Sequence, residues 1–150
     1  MFAHAYDLIE ATAVTRFKVG GSPDADYAAF IPVFLSLDKK AVGRENPILV
    51  AIVDARHTPP NALWRKRISD ANKQLKSKAT FIFVSESALA RGAMRAISWM
   101  LAGQLSVRIV STFRDAKRIA EQIRGRPLPS LDALLDEAER QLAESGTHHR

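Results

Sequence analysis

Asp54, Arg56, His57 and Thr58 stand together directly after an apolar run, in the stretch ILVAIVDARHT. An aspartate and a histidine three apart offer acid–base chemistry, because imidazole titrates near neutrality and a carboxylate can orient it. The nucleophile that such a pair would activate is not apparent nearby. The same residues suit a turn held by Asp and Thr hydrogen bonds, a loop that touches a partner, or one wall of a ligand pocket formed by Asp54, Arg56 and His57. Metal binding would need more His, Asp or Glu at ligand spacing, so no metal site is expected. Three other histidines, His4, His148 and His149, lie near the chain ends.

The elements around this cluster follow from pattern. Ile48 to Val53 is apolar without alternation, which reads as a strand buried on both faces of a parallel sheet. Polar groups at the carboxyl end of such a strand lie where open α/β sheets bind ligands. Upstream, Ala5 to Thr12 is a weak strand and Val14 to Val19 a clearer one, with a bulge or hairpin bend near Ala13. Ser22 caps a helix with Pro23 first and Asp24 and Asp26 in its opening turn. Tyr27, Phe30, Ile31, Phe34 and Leu35 form its apolar face, and Pro32 predicts a kink or a late start. Free N–H groups at Gly20-Gly21-Ser22 suit an anion, but Asp24 and Asp26 repel one. Residues 38–46 form a polar turn.

Thr58 is expected to cap the next helix with Pro59 at its first position. Its inward stripe is Trp64, Ile68, Ala71 and Leu75. Ala79 to Val84 is a second buried strand. Ser85 or Ser87 starts a helix to about Ala102, with Leu89, Ala93, Ile97 and Leu101 on one face and Gly103 after its end. Val107 to Ser111 is a short strand. Thr112 and Asp115 make a capping box for a helix carrying Phe113, Ala116, Ile119, Ala120 and Ile123, stopped by Gly125. The expected class is α/β: a mixed sheet opened by a hairpin, with βαβ units and an extra amphipathic C-terminal helix. The divisions are an α/β domain over 1–124, a linker over 125–129, the helix over 130–144 and a flexible tail over 145–150. Leu131, Leu134, Leu135 and Leu142 form a stripe that packs on its own domain or on a second copy as a homodimer seam.

Composition limits the chemistry. The chain has 150 residues and no cysteine, which excludes disulfides, thiolate zinc and cysteine nucleophiles. No apolar run approaches the roughly 18 residues of a membrane span. The opening MFAHAYDLIEA lacks the basic and apolar regions of a signal peptide, so the expectation is a cytoplasmic protein. Neither GxxxxGK[ST] nor GxGxxG occurs, and no cofactor is expected. The net charge of +6 is uneven: residues 56–128 carry fifteen Lys and Arg against four Asp and Glu. That block suits an acidic partner, or simply solvated helix faces. No nucleic-acid motif accompanies it, and nucleic acid is not expected as a partner.

Three segments, ILVAIVDARH before TPPNALWRKRI, ATFIFVSESALARGAMRAISWML, and VRIVSTFRDAKRIAEQI, resemble a STAS domain of the SpoIIAA-like branch, the anti-sigma-factor antagonists. The resemblance covers roughly residues 5–124. It implies a mixed sheet with helices mainly on one side, and a non-enzymatic bacterial signalling module that docks a partner protein through the loop and helix after the central strand. In that family the helix begins with an Asp-Ser step whose Ser is phosphorylated. Asn61 stands in the Asp position here and no hydroxyl follows, so the switch itself is not carried. Asp54 also lacks the acidic pair and lysine that a receiver-domain phosphoacceptor needs.

Two functions remain open from the residues. One is protein docking by Arg56, His57, Thr58, Asn61, Arg65, Ser85, Glu86 and Ser87, with charge-guided encounter favouring an acidic partner. The other is a small-molecule or lipid-binding site, Sec14-like, or a weak enzyme, using Asp54, Arg56 and His57. A deep pocket beside His57 favours the second, and a flat or convex rim the first.

Overall fold

The computed structural model describes residues 1–41, 46–101, 103 and 105–147. Strands β1 (Phe2–Asp7) and β2 (Thr12–Phe17) form an antiparallel hairpin. The reading that ran the first strand to Thr12 and bent the chain near Ala13 is corrected: the turn spans residues 8–11. Asp7 causes this, because its Oδ1 accepts from Ile9 N at 3.0 Å and Glu10 N at 3.2 Å. The strands β3 (Ile48–Val53), β4 (Ala79–Val84) and β5 (Leu105–Val110) follow in parallel, and the sheet order is β1-β2-β3-β4-β5. The unalternating run is thus the middle strand, as expected of a segment buried on both faces.

Helices α1 (Pro23–Ala41), α2 (Ala62–Lys73) and α3 (Ala88–Ser98) connect successive parallel strands. Right-handed crossovers that always step in one direction place their helices on one face. Tyr27, Phe30, Phe34, Trp64, Ala71 and Met94 meet Phe17, Leu49, Phe81 and Phe83 in the larger core there. α1 starts at Pro23 and continues through Pro32, which lies exposed, so the late start is not observed. α3 is shorter than its sequence suggests: a single 3-10 turn, Trp99–Leu101, follows Ser98. Leu89 was expected on the inward face, yet it is 85% exposed. Ile97 and Leu101 turn inward as expected, and Ala90 and Met94 join them there. Both sides of α3 are apolar at helical spacing, so periodicity alone does not choose between them.

Helices α4 (Phe113–Arg124) and α5 (Ser130–Thr147) follow the last strand and cover the opposite face. Thr112 caps α4 by accepting from Asp115 N, and Gly125 ends it at φ 70°. α5 lies across β1 and β2, with Leu131 0%, Leu134 9% and Leu142 4% exposed and Leu135 packed beside them. The homodimer seam proposed for these leucines is therefore occupied by the chain's own sheet. Leu128, between α4 and α5, is also buried, and the helix runs to Thr147. Residues 42–45 of the expected polar turn, and His148, His149 and Arg150 of the expected tail, lie outside the described residues. His4, though near a chain end, belongs to the sheet. It sits inside β1 between Phe2 and Tyr6, where burial lowers its pKa.

Candidate functional site

The pairing of Ile52 with Val84 brings the loops after β3 and β4 to one rim of the sheet. Residues 54–58 and 85–87 therefore converge. Asp54 holds its own turn, accepting from Arg56 N at 3.0 Å through Oδ1 and from His57 N at 3.0 Å through its carbonyl. This is the self-supporting turn reading, and it occupies Asp54 without involving the histidine ring.

His57 points inward. Its ring is 2% exposed, and Nε2 lies 2.9 Å from Asp26 Oδ2 in the first turn of α1. Asp26 Oδ2 also lies 2.8 Å from the Met1 amino nitrogen. His57 Nδ1 is 3.5 Å from the Tyr27 hydroxyl, which donates to Thr58 O at 2.6 Å. Burial, with Asp26 beside it, raises the Tyr27 phenol well above its usual range. Phe17 and Tyr27 present their rings edge-on to the imidazole. Both imidazole nitrogens thus face fixed partners, and the Asp–His pair read from Asp54 is replaced by one spanning two elements. The signal for Asp26 was present in the sequence only as a favourable first-turn charge.

The start of α2 is likewise corrected. Asn61, not Thr58, is the N-cap, accepting from Trp64 N at 3.1 Å, and the helix begins at Ala62. Arg65 donates to Pro60 O at 3.1 Å. Trp64 donates from Nε1 to Asp24 Oδ1 at 2.7 Å, and the Arg67 guanidinium lies over its ring. In the neighbouring loop, Ser85 is buried and accepts from Ser87 N, while Ser87 caps α3. Arg91 donates to the Ser85 and Glu86 carbonyls at 2.8 Å and 3.0 Å. Of the expected contact residues, Arg56, Thr58, Asn61 and Glu86 are exposed and Arg65 and Ser87 half-buried. His57 and Ser85 are buried and do not belong to a docking surface. Nor does the expected pocket set hold together: Arg56 and Asp54 line none of the cavity that His57 does.

That cavity lies between the sheet and helices α1, α2 and α3, and measures about 100 Å³. It extends from His57, Pro59 and Pro60 at the rim to Asn72, Leu101 and Leu105 below. Strand spacing makes this roughly 15–20 Å. Phe81, Phe83, Ala51 and Val53 form its floor, with Ile68 and Ala93 among the residues of the helical walls. So small a volume over such a length describes a narrow channel. Its rim and sides, at Pro59, Pro60, Ala90, Ala93 and Ile97, are exposed or half-buried, whereas Asn72, Leu101 and Leu105 are buried. α2 and α3 make little contact with each other, which leaves the opening between them.

Asn72 is the polar group that sequence reasoning missed. It is 5% exposed and lines the inner end. Its Nδ2 donates to Leu101 O at 3.3 Å, which fixes the amide and leaves Oδ1 as a buried acceptor with no protein partner. Among the described residues no group of three or more His, Asp or Glu could hold a metal ion, and no helix is long and apolar enough to cross a membrane.

Fold and site together define an α/β domain with a narrow apolar channel beneath its crossover helices. No family model matches the chain, and neither a curated protein nor a solved structure matches it.

Proposed function

We propose that this domain is a non-enzymatic binding module for a small, slender apolar molecule, of the kind represented by a short unbranched alkyl chain. The channel beside His57 carries the reading. Its wall is apolar apart from His57, Tyr27 and Asn72, and its shape admits a chain more readily than a fused ring system. The imidazole faces Asp26 and Tyr27 instead of standing free as a base, which argues for holding a ligand over transforming one. Asn72 Oδ1 supplies one acceptor at the closed end, so a chain ending in a hydroxyl gains a hydrogen bond that an alkane cannot make.

Pentan-1-ol, pentane and pentanoate, short enough for a cavity of about 100 Å³ and compared by calorimetry and thermal shift, test this. Pentan-1-ol at a hundredfold excess over its Kd is expected to stabilise the fold by about 2.7 kcal/mol. Ala93→Phe, at the opening, is expected to abolish the shift, and Asn72→Leu to remove the preference for the alcohol over the alkane. No stabilisation by any of the three would sink the reading.

A second reading follows the STAS resemblance. Arg56, Thr58, Asn61, Arg65, Glu86 and Ser87 gather at one rim with side chains exposed or half-exposed, a surface for an acidic partner protein. Affinity capture from the native host with the parent and with Arg56→Glu plus Arg65→Glu separates it, since only this reading predicts a partner lost in the variant.

A further inference from the structure

α3 and the turn after it carry two apolar rows. Ala90, Met94, Ile97 and Leu101 face the core. Leu89, Ala93, Ala96 and Met100 recur at the same helical spacing on the outward side, with Trp99 alongside. Leu89 is 85%, Trp99 86% and Met100 58% exposed. Single exposed apolar side chains are ordinary, but a continuous row of them along one helix marks a contact surface. This segment has no acidic residue. Arg91 and Arg95 flank the outward row, and Arg95 lies one helical turn before Trp99.

We propose that the outward face of α3 docks on an anionic phospholipid surface, with Leu89, Trp99 and Met100 entering the boundary between headgroups and acyl chains and Arg95 meeting lipid phosphate. Leucine, methionine and tryptophan beside arginine is the composition of helices that lie in that boundary. Charge agrees: α2, on the same face of the sheet as α3, carries Arg65, Lys66, Arg67 and Lys73 against Asp70, a balance that suits an anionic membrane. A second copy is a poorer occupant, because a two-fold contact through this row would bring the arginines of the two copies together. Ala93 belongs both to the outward row and to the channel wall. The docked orientation therefore sets the channel opening against the acyl chains. That last consequence rests on the proposed apolar ligand; the docking itself does not.

The test is flotation with vesicles of phosphatidylcholine alone and of equimolar phosphatidylcholine and phosphatidylglycerol, with tryptophan emission followed in parallel. Trp64 is buried, so a blue shift on adding vesicles reports Trp99. The parent is expected to float with anionic vesicles and to lose binding as salt rises. The combined change Leu89→Ser, Trp99→Ser and Met100→Ser is expected to weaken partitioning on the order of a hundredfold. Arg95→Glu is expected to weaken it about tenfold or more. All four positions are exposed, and the single changes Trp99→Ser and Arg95→Glu stand alone if the triple variant unfolds. Absence of flotation by the parent, or equal binding by the variants, overturns the proposal. So does a parent dimer that the triple variant converts to monomer without any vesicle binding. The pentan-1-ol titration is done without vesicles, so a failure of the ligand reading and a failure of docking are recorded separately.

Discussion

His57 Nε2 lies 2.9 Å from Asp26 Oδ2, and both side chains are almost wholly enclosed. The contact joins the loop after the central strand to the first turn of α1. It converts a histidine whose nearest carboxylate in the chain is Asp54 into a fastener between two elements. His57→Ala leaves the Asp26 carboxylate enclosed with one partner fewer. Its expected cost is about 3–5 kcal/mol by urea unfolding. Asp54→Asn preserves the side-chain acceptor of the turn and is expected to cost less than about 0.5 kcal/mol. Equal costs for the two variants would show that the pairing with Asp26 does not dominate.

Thr15 sits fully buried in β2 with its hydroxyl unpartnered. Thr15→Val replaces that hydroxyl with a methyl group of similar size. It is expected to raise stability by about 1 kcal/mol, because an enclosed polar group without a partner is a standing cost. The midpoint of urea unfolding, at unchanged slope, is the measurement.

Leu131, on the inward side of α5, is 0% exposed. Leu131→Ala is expected to lower stability by about 2–5 kcal/mol. The cost should not depend on protein concentration, since the residue is buried by its own chain. A concentration-dependent midpoint would return this stripe to an intermolecular role.

Acid stability carries two identifiable contributions. Burial lowers the pKa of His4, so the unfolded chain takes up the proton first, and stability falls as pH drops below about 6.5. His4→Gln is expected to flatten the curve in that window. Burial would raise the Glu139 pKa, but hydrogen bonding and attraction from Arg16, helped by Lys18, overcome it and hold it low. A depressed carboxylate contributes above its unfolded pKa, and the contribution is lost as pH falls through its folded value. Glu139→Gln should therefore be less stable than the parent at neutral pH and equal to it in strong acid. Chemical denaturation across pH checks both variants.

Local chemistry determined much of this protein. An apolar run without alternation marked β3 as central, Ser22 and Thr112 marked helix starts, the pair Ser85 and Ser87 bracketed a third, and Gly125 marked a stop, because each of these depends on neighbours within a few residues. The turn at Asp54 belongs to the same category. The tertiary structure alone decided which of two apolar rows on α3 turns inward, that the leucines of α5 close the chain's own second core, and that His57 meets Asp26 across thirty-one positions. It alone set Asn72 at the end of an apolar channel. Periodicity states that a face must be covered, but what covers it depends on which segments the sheet order brings together, and no window of sequence contains that information.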